Sequence, residues 1–265
     1  MSFEFLNYIW IAVALLTFFS LLFFNIKAPY GRHSNDSWGR MISNKWGWFF
    51  MELPALMVMP VIAIIGPSEK NETSYVLISL WVIHYVYRTL IFPFKLNTKN
   101  KKMPLIIVFS AIGFNAMNGF LNGYALGFMD LYLIDVTSYH VIIGSLVFIS
   151  GMVINRWADN SLIRLRESKQ GYQIPRGGLF EYISCPNHFG EIVEWMGFAI
   201  IAWNLPALTF AIWTFCNLSP RSRNHHDWYK IADLLSDWTI KFDELGDNTL
   251  RDMLDEQKVS ANRLF

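Results

Sequence analysis

Asn155 and Asp159 stand one helical turn apart, with Arg166 two turns further on, and Asn187, Glu191 and Glu194 share a second helical face. Arg221, Arg223, His225, His226 and Tyr229 form a third group, offering cationic and stacking contacts for phosphates and a ring. Each has a plainer reading: a solvated helix end, an ion-pair cluster with Arg166 or Arg176 as partners, and a belt of positive charge. Two further polar groups interrupt apolar runs. Glu52 and Tyr85 fall where an acid or phenol is expensive to bury, so each is either paired with a neighbouring helix or used. Kept neutral by apolar surroundings, Glu52 would donate a hydrogen bond to a substrate oxygen, with Tyr85 as a second donor.

These groups need elements to hold them, and composition names the class. Of 265 residues, 53% are hydrophobic, 17% aromatic and 16% charged. A soluble domain carries about a quarter charged residues, so a polytopic membrane protein is expected, folded as one all-α domain over residues 1–265. The net charge of +1 leaves no basic face for nucleic acid. Cys185 and Cys216 are too isolated for a disulfide framework or a zinc set. His225, His226 and either Cys185 or His188 lack ligand spacing, so no metal is expected. No G-x-G-x-x-G follows a strand, which excludes a Rossmann unit and leaves a dinucleotide to scattered side chains on helices.

Seven crossings are predicted. They cover about residues 6–26, 46–65, 74–94, 104–128, 139–154, 178–203 and 207–218, the last ending at Pro220. The fifth runs directly into the Asn155 segment as a helix leaving the membrane. Asn115, Asn118 and Asn122 share one face of the fourth. Residues 221–265 form a polar tail with an amphipathic start. The first, third and fifth loops and the tail hold nearly all the Lys and Arg, whereas the other loops hold Lys70 alone. Positive loops stay cytoplasmic, so the amino terminus is placed outside and the carboxyl terminus in the cytosol. The Asn155 and Arg221 segments then both face the cytosol, where a soluble charged cofactor could reach them.

Taken together, the motifs resemble steroid 5α-reductases. The resemblance rests on Asn155-x-x-x-Asp159, Arg166, the run Gly171-Tyr172-Gln173-Ile174-Pro175-Arg176-Gly177-Gly178-Leu179-Phe180, and Asn187-x-x-Gly190-Glu191-Ile192-Val193-Glu194-Trp195. It continues in Glu52-Leu53-Pro54, His84-Tyr85-x-x-Arg88-Thr89, Asn118-Gly119-Phe120, Leu205-Pro206-Ala207 and His225-His226-x-x-Tyr229. What it implies is NADPH-dependent reduction of the carbon 4–carbon 5 double bond of a 3-oxo-Δ4-steroid. By that likeness Glu52 and Tyr85 match the pair binding the steroid 3-keto oxygen. Asn155, Asp159, Arg166, Tyr172, Asn187, Glu191, Arg221, His225 and Tyr229 match positions lining the NADPH site, with Asn118 and Arg88 nearby. The chain departs from the pattern at Met51, where eukaryotic members carry glutamine, at Gln173, in place of a basic residue, and at Pro186.

Two rival readings share parts of the pattern. Small membrane methyltransferases acting on prenylated cysteine or phospholipid with S-adenosylmethionine have a similar late Pro-Asn-His and Glu arrangement, but give Glu52 and Tyr85 no purpose. Other sterol or enone reductases are closer. The expected partners are a steroid-like molecule and the bilayer of a bacterial inner membrane or the endoplasmic reticulum, with no nucleic acid and no obligate protein partner.

Overall fold

The computed structural model describes residues 2–24, 36–96, 101–129, 134–168 and 173–243. Helices dominate them. Five helical segments are long and apolar enough to cross a membrane: Phe3–Phe23, Asn44–Ile65, Glu72–Lys95, Leu105–Phe128 and Tyr139–Glu167. Each coincides with one of the first five expected crossings. Tyr172 lies outside the described residues.

Local chemistry sets the boundaries. Helix α1 (Phe3–Phe23) starts at Ser2, whose hydroxyl accepts from Phe5 N–H at 3.2 Å, and of its residues only Asn7 and Ala14 are buried. Strand β1 (Met41–Ser43) leads into α2 (Asn44–Ile65). Helix α3 (Glu72–Val86) is capped by Asn71, which accepts from Ser74 N–H at 3.0 Å. It widens into a π turn at Tyr87–Ile91 before the short α4 (Phe92–Lys95), and Phe92 N–H reaches back to the Tyr87 carbonyl. Pro93 explains the widening, because it lacks an N–H and its ring crowds the carbonyl four residues earlier. Strand β2 (Lys102–Pro104) precedes α5 (Leu105–Phe128). Helix α6 (Tyr139–Ser168) carries Asn155, Asp159 and Arg166 on one unbroken rod.

The last two helices differ from expectation. Instead of beginning near Gly178, the chain makes a short 3-10 turn at Gly178–Glu181, and α7 spans Pro186–Ala202, 17 residues. Pro186 fixes that start, since proline suits the first helical turn, where its missing N–H costs nothing. At the other end, α8 runs from Leu205 to Asp243 and carries Pro220 inside it. The predicted stop at Pro220 is therefore absent; a proline can be tolerated inside a helix when neighbouring groups satisfy the freed carbonyl.

Glycines let neighbouring helices touch. Gly144 and Gly151 on α6 face Gly190 and Gly197 on α7. A Cβ added to Gly190 would lie 2.5 Å from the Asn155 nitrogen and 2.7 Å from the Gly151 oxygen. Backbones this close bring Asn155 and Asp159 against the start of α7. Helices α2 and α5 pair through Gly119, Gly123 and Gly127 in the same way. Beneath the site, Trp81, Trp195, Phe198 and Phe210 form a buried aromatic cluster, with Trp195 and Phe210 ring centres 4.5 Å apart. Trp81 donates its indole N–H to the Ala55 carbonyl at 2.8 Å, locking α3 to α2.

Helix ends fall into two groups. At one end β1 pairs antiparallel with β2, joining the first and third loops. There too Ser184 bonds His226 at 2.7 Å, and His188 bonds Ser222 at 2.9 Å. At the other end Thr73 donates to the Ile134 carbonyl at 2.7 Å, Ser68 N–H to the Gly127 carbonyl at 2.9 Å, and His140 meets Trp203. The amino-terminal Phe3 packs its ring 4.8 Å from that of Tyr124, toward this second end.

Candidate active site

A cavity of about 820 Å³ opens among α1, α2, α3, α5, α6, α7 and α8. Its apolar part is walled by Trp10, Phe114, Phe210 and Trp213, and its polar part by Asp159, Glu191, Arg221 and His225. Glu52, Tyr85 and Arg88 stand in the same cavity.

Helix α2 presents Glu52, buried at 7% exposure. Asn115 of α5 donates to the Met51 carbonyl at 2.6 Å and approaches Glu52 Oε2 at 3.4 Å. On the other carboxyl oxygen sits Arg88, with Nη2 3.4 Å from Glu52 Oε1. The same guanidinium places Nη1 3.8 Å from Asp159 Oδ2 and interacts electrostatically with Glu191. Trp48 and Phe92 pack against it, each ring centre 5.0 Å away. Because Arg88 belongs to the π turn, the wider helix geometry helps set where the guanidinium enters the cavity. Tyr85 is held by ring contacts with Trp81 at 5.0 Å and Trp195 at 5.7 Å.

The polar part is built by α6 and α7. Asn155, at 3% exposure, is not in the cavity wall; it donates to the Asn187 carbonyl at 2.9 Å and so fixes the first turn of α7. Asn187 and Asp159 both line the cavity. Arg166 lines the cavity and acts electrostatically on Asp159. Helix α8 brings Arg221, His225 and Tyr229 to the same wall, with His225 and Tyr229 ring centres 6.3 Å apart. No group of three or more His, Cys, Asp or Glu poised for a metal occurs among the described residues.

Several contacts were not legible in sequence. Glu194 pairs with His84 of α3, Oε1 to Nδ1 at 2.8 Å, instead of with Arg166 or Arg176. The signal was there: an ionisable residue inside a crossing asks for a buried partner. Asn118 accepts from the Trp10 indole at 3.0 Å, pinning α1 to α5. Asn115, Asn118 and Asn122 are all buried on the α5 face.

A profile of the family described as 3-oxo-5-alpha-steroid 4-dehydrogenase matches residues 101–233. Over 223 residues the chain is 39% identical to the steroid 5-alpha-reductase DET2 of Gossypium hirsutum, covering 82% of this chain and 86% of that protein. It is 40% identical over 210 residues to mouse 3-oxo-5-alpha-steroid 4-dehydrogenase 1, covering 77% and 81%. The human protein of the same name is 39% identical over 204 residues, covering 76% and 78%. With the profile spanning half the chain and these relatives matching about three-quarters of it or more, the protein belongs to the 3-oxo-5-alpha-steroid 4-dehydrogenase family of oxidoreductases, which act on CH–CH groups.

Proposed function

We propose that this protein reduces the carbon 4–carbon 5 double bond of 3-oxo-Δ4-steroids to 5α-steroids, with NADPH as reductant. The observation that carries the reading is one cavity that holds Glu52 and Tyr85 together with apolar lining residues and charged ones. An apolar ring system matches Trp10, Phe114 and Trp213; a charged, soluble cofactor matches Arg166, Arg221 and His225.

The polar residues fit such a cofactor. Oδ2 of Asp159 is buried in the cavity region with no hydrogen bond among the described residues, an acceptor suited to a hydroxyl or amide donor. Arg166 and Arg221 supply positive charge for phosphates, and His225 and Tyr229 supply ring faces. Asn187 and Glu191 complete the wall, and Asn155 holds Asn187 in place. Tyr172 joins this set by the sequence resemblance alone. When bound, NADPH supplies the hydride that adds to carbon 5.

The chain's own residues manage the charge. As hydride adds to carbon 5, negative charge develops on the 3-oxygen. Glu52, as a neutral acid, and Tyr85 donate hydrogen bonds to that oxygen; a carboxylate there would repel the enolate. Arg88 offsets the charge of Asp159 and Glu191 and, through its contact with Glu52, joins the two halves of the cavity. Both donors are fixed before reaction, Glu52 by Arg88 and Asn115, Tyr85 by its aromatic neighbours, so little reorganisation remains.

The reading includes a single seven-helix domain with the amino terminus outside and the cofactor end in the cytosol of a bacterial or endoplasmic reticulum membrane. Support comes from the two groups of helix ends, one bearing nearly all the basic residues. At 17 residues α7 is at the short limit for a crossing, and the apolar first part of α8 supplies the seventh.

The test is NADPH consumption by detergent-purified protein with and without progesterone or testosterone. The expected result is steroid-dependent oxidation and a product two hydrogens heavier with 5α configuration. No steroid-dependent turnover would overturn the reading, and reduction at another ring double bond would move it to a different sterol reductase.

A further inference from the structure

The bundle also buries an ionisable pair to which the reduction above gives no role. Glu194 of α7 is 0% exposed, and among the described residues its carboxyl has one hydrogen-bond partner, Nδ1 of His84 at 2.8 Å. A pair of this kind within a membrane bundle is costly unless it works or is tightly matched. His84 lines the cavity, and its Nε2 makes no hydrogen bond with the described residues. Its ring centre is 4.9 Å from that of Tyr85 and 4.7 Å from that of Trp195.

We propose that His84 is the acid that protonates carbon 4 of the substrate, and that Glu194 is the positioning residue that orients its imidazole; this rests on the reduction proposed above. Carbon 4 is two bonds from the 3-oxygen. A donor beside Tyr85 is therefore within reach of carbon 4 when Tyr85 holds that oxygen. Glu194 takes the Nδ1–H bond, which turns Nε2 into the nitrogen left for the substrate.

The step balances. Hydride addition to carbon 5 moves the carbon 4–carbon 5 electron pair into an enolate across carbons 3 and 4. The Nε2–H proton bonds to carbon 4, the carbon 3–oxygen double bond re-forms, and the imidazolium becomes a neutral imidazole. Nδ1 keeps its proton toward Glu194, and a proton from bulk solvent, relayed by water through the cavity, restores the imidazolium after product leaves. The product has gained one hydride and one proton.

The test runs the full-length enzyme in D₂O with NADPH and progesterone and locates deuterium at carbon 4 by prompt NMR of the product. In the wild type, deuterium is expected on one face of carbon 4. In His84→Gln, kcat should fall about 100-fold, the loss typical of a missing general acid, and deuterium should enter both faces from water. Glu194→Gln keeps the acid, so it should retain one-face delivery with a lower kcat and a larger solvent isotope effect. A packing defect alone would lower kcat without altering the face of protonation. One-face deuterium in His84→Gln with an unchanged solvent isotope effect would overturn the proposal. So would two-face deuterium in the wild type, which decides the matter even if neither variant folds. Absence of wild-type enone reduction would instead sink the proposed function.

Discussion

Arg88 places its guanidinium 3.4 Å from Oε1 of Glu52, joining the π turn after α3 to the middle of α2. That contact puts a permanent cation beside the acid proposed to receive the substrate carbonyl. The same guanidinium reaches Asp159 at 3.8 Å, so one side chain links the proposed substrate and cofactor halves of the cavity.

Arg88→Met removes the cation and leaves Glu52, Asp159 and Glu191 without it. Breaking a buried pair by removing one partner costs about 3–5 kcal/mol, so a large fall in the thermal midpoint and loss of turnover are expected. Arg88→Lys should recover much of the stability and little of the activity, because an ammonium cannot present a planar fork to two carboxyls. Equal kcat in Arg88→Lys and the wild type would show that the bridge has no catalytic consequence.

Glu52→Gln should keep measurable turnover, since an amide can still donate to a carbonyl oxygen. Glu52→Leu should lose nearly all of it while still binding NADPH, as read by cofactor fluorescence. Near-wild-type turnover in both variants would remove Glu52 from the site.

Asn118 accepts the Trp10 indole N–H at 3.0 Å, and Trp10 forms part of the apolar wall. Asn118→Leu leaves that N–H without its acceptor, a loss of about 1–3 kcal/mol when the group stays buried. The expected kinetic result is a several-fold rise in steroid KM with a smaller change in NADPH KM. A rise confined to NADPH would place Trp10 outside the steroid wall.

Gly190→Ala puts a methyl against the α6 backbone, where its Cβ would lie 2.5 Å from the Asn155 nitrogen. Overpacking of this kind costs about 1–3 kcal/mol. Thermal unfolding in detergent should show a clear drop. Gly113→Ala is the contrast, because a Cβ there meets nothing within 4 Å and alanine favours the helix. Equal midpoints for the two variants would contradict the close α6–α7 contact.

The first five long helices and the unbroken rod carrying Asn155, Asp159 and Arg166 were legible because apolar length and helical spacing are local signals. Local signals also misled at the end of the chain. The sixth crossing was expected to start near Gly178, whereas the helix begins at Pro186, and Pro220 looked like a stop that α8 passes through. Pairings between distant segments left no local trace. The β1–β2 ladder joins residues some 60 positions apart, which no periodicity reports. Glu194 and His84 could each be recognised as needing a partner, but which partner depended on the way α3 packs against α7. Arg88 was marked only as lying near the site; its bridging role came from the π turn and from the aromatic faces of Trp48 and Phe92.

The central claim is that hydride passes to carbon 5 inside this cavity. The most direct measurement uses NADPH deuterated at carbon 4 of the nicotinamide, purified enzyme and testosterone, with the product read by NMR and mass spectrometry. One deuterium on the α face of carbon 5 and a matching loss of label from the cofactor are predicted. Deuterium at any other ring carbon, or steroid-independent oxidation of the cofactor with no labelled product, would contradict it.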